Sequence, residues 1–189
     1  KSPVFGRRTA QIRLEPFSYM EAAEFVPSYS EADKAVCYGI TGGIAKYLSL
    51  MDDSLSLDEN IVNQFFMKSG YMYEETNNLL MQEFRNVSVY NDIIEAVASG
   101  ANKVNEIADK THIDPTAVSH ALANLVVTGI VVKEYAVTDE ANRKKVRYNF
   151  KDNMFKFWYR FVPDAVGAIE MGKGDVYYQN VVKNRISEY

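Results

Sequence analysis

The chain has 189 residues, 47% of them hydrophobic, with a net charge of −4 and a pI near 5.3. That is enough apolar material to form a core, in one compact domain with extensions or in two small domains, and too acidic a balance for a general nucleic-acid or anionic-membrane binder. Cys37 is the single cysteine, which excludes an internal disulfide and fits a reducing, cytoplasmic setting; no signal peptide is visible, and no apolar run approaches the ~18 residues of a membrane span.

In residues 1–15, Arg7 and Arg8 stand in a Gly-Arg-Arg-Thr turn, and Ala10 to Leu14 alternates as a half-buried strand does. Two guanidiniums in such a turn match phosphoryl oxygens; a solvated turn is the plainer reading of the same residues. Ser18 and Glu21 have capping-box spacing at the start of a helix running to Pro27. Ser30 opens another, which ends at Gly42-Gly43, and helical periodicity resumes from Ile44 to Leu50. A second capping box, Ser56 with Glu59, precedes a helix through Phe66, and Tyr73 to Phe84 is a further amphipathic helix. Residues 16–86 therefore read as a small all-helical subdomain.

Residues 87–151 read as a winged helix-turn-helix. Its three helix patterns are Tyr90–Ala98, about Lys103–Thr111, and Pro115–Thr128, the last stopping at Gly129. Ile130–Val137 and Val146–Phe150 then flank a basic tip, giving a β-hairpin wing. The fold class expected is thus mainly α with a small β-wing. Such a domain lays its third helix in the major groove and its wing along phosphates. With Val118, Leu122 and Leu125 inward, the outward face carries Thr116, His120, Ala123 and Val127, with Ser119 and Asn124 beside them; none is a cation. Residues 90–150 hold seven Lys and Arg against eight Asp and Glu, so the broad field of an independent DNA binder is missing. Candidate DNA contacts are Thr116, Ser119, His120 and Asn124 on the helix and Arg143, Lys144, Lys145 and Arg147 on the wing.

Residues 152–189 begin with five aromatics among Phe155–Phe161, which reads as a docking helix. Gly167 to Lys173 has phosphate-loop spacing, but Gly174 occupies the magnesium-binding Ser/Thr position and Glu170 would face the phosphates, so a turn is the better reading. His112 and His120 have no partners at metal-ligand spacing, Cys37 falls on an apolar helix face, and no carboxylate pair suggests acid–base chemistry. No catalytic or metal site is therefore expected. The strand entered at Gly6 and the unclosed helical pattern at Ile186–Tyr189 read as a piece of a longer protein.

Three blocks, Phe5–Phe17, Ile40–Leu48 and Asp152–Phe161, with a winged helix between the second and third, resemble the archaeal and bacterial STAND-type P-loop ATPases, relatives of the AAA+ proteins. The resemblance implies that residues 1–15 are the last strand and turn of an ATPase core and that 16–86 are its helical lid. The end of the chain would begin a nuclease-like C-terminal domain. ATP and Mg2+ would be cofactors of the longer protein and not of this piece, with Arg7, Arg8, Gly42 and Gly43 facing the nucleotide. Its partners would be the ATPase core and the C-terminal domain, with DNA touched weakly through the wing and no membrane. Ala45 departs from the proline common in that family. The leading expectation is a non-catalytic lid and winged-helix portion of an ATPase switch; the alternative is a winged-helix transcriptional regulator, ranked second because the third helix is not basic.

Overall fold

The computed structural model of the protein describes residues 14–135 and 146–188. Short helices begin it: α1 (Tyr19–Ala23), α2 (Glu31–Thr41), α3 (Ala45–Leu48), α4 (Leu57–Phe65) and α5 (Tyr71–Glu83). Their starts are where the small polar residues are. At α1 the Glu21 carboxylate accepts from both the backbone N–H and the hydroxyl of Ser18. At α4 the Ser56 Oγ accepts from Glu59 N–H while Glu59 reaches back to Ser56 N–H, closing the box. Glycine ends α2: Gly42 and Gly43 both have positive φ, and the Gly43 carbonyl accepts from Phe17 N–H at 2.8 Å. A Cβ on Gly43 would lie 2.1 Å from the Phe17 carbonyl oxygen, so only glycine lets the incoming chain cross there.

The winged helix follows as α6 (Val87–Ala98), α7 (Val104–Thr111), α8 (Pro115–Val127), β1 (Val131–Glu134) and β2 (Arg147–Phe150). The two strands are antiparallel, with Val131 opposite Phe150 and Glu134 opposite Arg147. α6 starts three residues earlier than its periodicity suggests, and the strands are shorter than their apolar runs. Ile93, Ile94, Val118, Leu122 and Leu125 are all fully buried, as the helical period requires. The hairpin is tied down at both ends: Tyr148 N–H donates to Asn102 O at 2.8 Å, and Ile130 O accepts from the N–H groups of Lys151 and Asp152.

What joins the two halves is α9 (Asn153–Phe161), which packs on α2, α5, α6 and β2. Asp152 caps it, accepting from Met154 N–H and Phe155 N–H. Phe155, Phe157, Tyr159 and Phe161 are buried. Phe157 packs on Phe65 with ring centroids 4.7 Å apart, Trp158 Nε1 donates to Tyr73 O at 2.9 Å, and the Tyr159 hydroxyl donates to Asn91. One helix thus contacts α4 and α5 on one side and α6 on the other, and the buried apolar side chains form one continuous core.

Beyond a 3-10 turn at Pro163–Ala165, α10 (Val166–Glu170) and α11 (Gly174–Tyr177) occupy the stretch with phosphate-loop spacing. Gly172 turns the chain at φ 69, and Gly174 lies so close to Phe66 that a Cβ would meet its carbonyl oxygen at 1.8 Å. The turn accounts for Gly172 and close packing on Phe66 for Gly174. The chain then crosses α4: the buried Tyr178 packs on Phe66 and bonds Asp58, which also pairs with Lys183. No helix among the described residues is long and apolar enough to cross a membrane.

Candidate nucleic-acid interface

The α7–α8 corner sets the aim of α8. His112 ends α7 in the left-handed region at φ 57, the single non-glycine residue there among those described. Asp114 then caps α8, its Oδ1 accepting from Thr116 N–H at 2.8 Å and Ala117 N–H at 3.3 Å, with Pro115 at the first helical position. These backbone donors hold the Asp114 carboxyl below its ordinary range. The positive end of α8 is therefore already neutralised by an anion of the chain itself, which leaves a phosphate little to gain there.

Thr116, Ser119, His120, Ala123, Asn124 and Val127 are exposed along one side of α8, opposite the buried Val118, Leu122 and Leu125. The Thr116 hydroxyl bonds the Asp114 carboxylate, and Ser119 and His120 stand open to a base edge. Asn124 does not: its Nδ2 donates to the Tyr90 hydroxyl at 2.8 Å, and Tyr90 is stacked on Phe84 with centroids 3.7 Å apart. That tether links positions 34 residues apart, so no local sequence signal announces it. Val127 is 86% exposed at the end of the row.

On the wing, Arg147 is exposed at the tip-side end of β2 across from Glu134, which accepts from Asn149 Nδ2. Arg143, Lys144 and Lys145 lie outside the described residues, as do Arg7 and Arg8. Gly42 comes close to the winged helix after all. With Ile44 and Lys151–Asn153 it lines a groove of about 520 Å3 whose far wall is Val126–Gly129. Gly42 N–H donates to Tyr38 O, and among the described residues Glu15 and Asp152 bring two carboxylates to the groove against the ammonium of Lys151. Among the described residues no three of His, Cys, Asp and Glu gather as a metal site would.

Residues 91–133 match the bacterial regulatory protein, arsR family. The match runs from α6 through β1, so the arsR-type unit is the helix-turn-helix with the first wing strand. It favours the second of the two functional expectations: this winged helix is similar to that of a regulator family although its third helix carries no cation. Nothing in the comparisons supports the ATPase resemblance. The chain is also 27% identical, over 176 residues, to an uncharacterized protein of Methanocaldococcus jannaschii, a match covering 93% of this chain and 40% of that protein. The chain thus spans less than half the length of that relative. No solved structure matches.

Proposed function

We propose that the arsR-type winged helix binds duplex DNA as the DNA-contacting part of a regulatory protein. α8 enters the major groove with Thr116, Ser119 and His120 as uncharged readers, and the phosphate grip comes from cations outside α8, beginning with Arg147. The observation that supports this is the uncovered row on α8 above a fully buried inner face, in a segment that matches a regulator family. Hydrogen bonds from neutral side chains to base edges are each worth little beside charge-assisted ones, so sequence preference is modest and phosphate contacts supply most of the affinity. Fluorescence anisotropy with a labelled duplex tests it: saturable binding is expected, with preference among duplexes lost on replacing Thr116, Ser119 and His120 together by Ala. No saturable binding below about 100 µM, the weak end of non-specific DNA binding, overturns it.

A second reading keeps the chain as the lid and winged-helix part of a STAND-type ATPase switch, with ATP and Mg2+ belonging to the longer protein. It draws on one feature, the rigid seating of the winged helix on the helical unit through α9, which would carry motion of one to the other. The described lining of the Gly42 groove does not favour a triphosphate, because Glu15 and Asp152 stand there against Lys151 and the Gly42 amide is already bonded. Calorimetry of this chain with ATP and Mg2+ should show no saturable heat; a Kd below about 10 µM, worth roughly 7 kcal/mol, contradicts that expectation.

A further inference from the structure

A DNA-binding helix without cations needs its phosphate contacts from neighbours, and one neighbour lies outside the helix-turn-helix altogether. Beside the second half of α8 runs a groove of about 500 Å3, with Asn124, Val127 and Thr128 on one wall and Glu83–Asn86 and Tyr90 on the other. Its second wall is the linker between α5 and α6, which lies before the arsR match and is supplied in part by the helical unit. Arg85 is exposed on that linker, and among the described residues no carboxylate is paired with it.

The linker is held still relative to α8. The Phe84 ring stacks on Tyr90 at 3.7 Å with planes 14° apart, the Tyr90 hydroxyl accepts from Asn124, and Phe84 N–H closes the end of α5 on Leu80 O at 2.9 Å. Arg85 is therefore carried on a backbone anchored to the helix that faces the duplex. Fixing the backbone in advance lowers the ordering cost of a contact made by a long side chain. Arginine is also suited to a phosphate, since its planar fork offers paired donors. Glu83 is the one carboxylate on the groove walls and opposes that field.

We infer that Arg85 is a DNA-phosphate contact, so that the α5–α6 linker extends the interface past the winged helix and grips one side of the major groove while the wing grips the other. This rests on the DNA-binding reading above. Asn124, bonded to Tyr90, serves to position the linker and does not read a base.

The test is the salt dependence of binding of the whole chain to one duplex, for wild type, Arg85→Ala, Arg85→Lys and Glu83→Gln, with thermal unfolding as the control for folding. Loss of one phosphate contact weakens binding evenly across sequences and flattens the log–log salt slope by about 0.9. Arg85→Ala should do both, with affinity down about threefold to tenfold at low salt; Arg85→Lys should keep most of the slope, and Glu83→Gln should tighten binding. Wild-type binding that is indifferent to Arg85→Ala and Glu83→Gln overturns this inference alone. Absence of wild-type binding overturns the DNA-binding reading and takes this inference with it.

Discussion

Asn60 is 1% exposed and uses its whole amide. Its Nδ2 donates to the Tyr29 hydroxyl and to the carbonyls of Asp52 and Ser56, and its Oδ1 accepts from Asp52 N–H. Asn60→Ala takes its partner from the buried Tyr29 hydroxyl and from Asp52 N–H and should cost about 2 kcal/mol, measured as a lower urea midpoint with unchanged slope; a loss under about 0.5 kcal/mol would show the network to be idle. No spacing rule marks Asn60, because its partners are set by how the loop before α4 folds over it. Cys37, by contrast, was legible from its apolar helix face, and it is 1% exposed. Burial pushes its thiol up to about 11, so at pH 8 Ellman's reagent should react with it only after denaturation, and fast reaction of the native chain would contradict its burial. At His112 the left-handed backbone penalises any side chain, and His112→Gly should raise stability by about 1 kcal/mol in the same urea assay; a loss of stability would mean the imidazole makes a contact that outweighs the strain.

Among the elements, α9 carries the argument that the helical unit and the winged helix are one folding body. Phe157→Ala removes a fully buried ring between Phe65 and Phe161 and should cost about 4 kcal/mol. It should keep a single transition by both circular dichroism and tryptophan fluorescence; two separated transitions would show that the halves fold independently. Helix starts supply a second, pH-dependent term. Glu59, bonded by Ser56, Glu21, bonded by Ser18, Glu106, bonded by Lys103, and Asp114, bonded by Thr116 N–H, are all held below their ordinary values of 4.5 for Glu and 3.8 for Asp. Depressed folded-state values mean that their stabilisation is present above the ordinary values and is lost as pH falls through the depressed ones. Asp152, raised by burial, acts in the opposite sense and partly offsets the loss. Thermal stability should fall as pH drops below about 4, and less so in Glu59→Gln; an unchanged midpoint down to pH 2 would mean the caps contribute nothing. The starts at Ser18 and Ser56 were legible because a capping box is local in sequence. The Phe84–Tyr90–Asn124 chain was not, and Asn124, on the outward face by periodicity, proved to be engaged by a residue from another helix.

At the scale of the whole molecule, the helical face was legible from the 3.6-residue period, but charge ranked the regulator reading second and the family match favours it. A cation-free third helix weighs against DNA binding only if that helix must supply its own phosphate contacts. Here Asp114 already occupies its N-terminus, and Arg85 stands beside its C-terminal half on a linker that the sequence places outside the winged helix. The central claim, that affinity for DNA is phosphate-driven and comes from cations flanking α8, is tested most directly by the log–log salt slope of duplex binding. With Arg85, Arg143, Lys144, Lys145 and Arg147 as contacts, the wild-type slope should lie near −4.5, stay there when Thr116, Ser119 and His120 are replaced by Ala, and flatten to about −1 when the four wing cations are replaced. A slope shallower than about −1 in the wild type, or one that collapses with the α8 face and not with the wing, would contradict it.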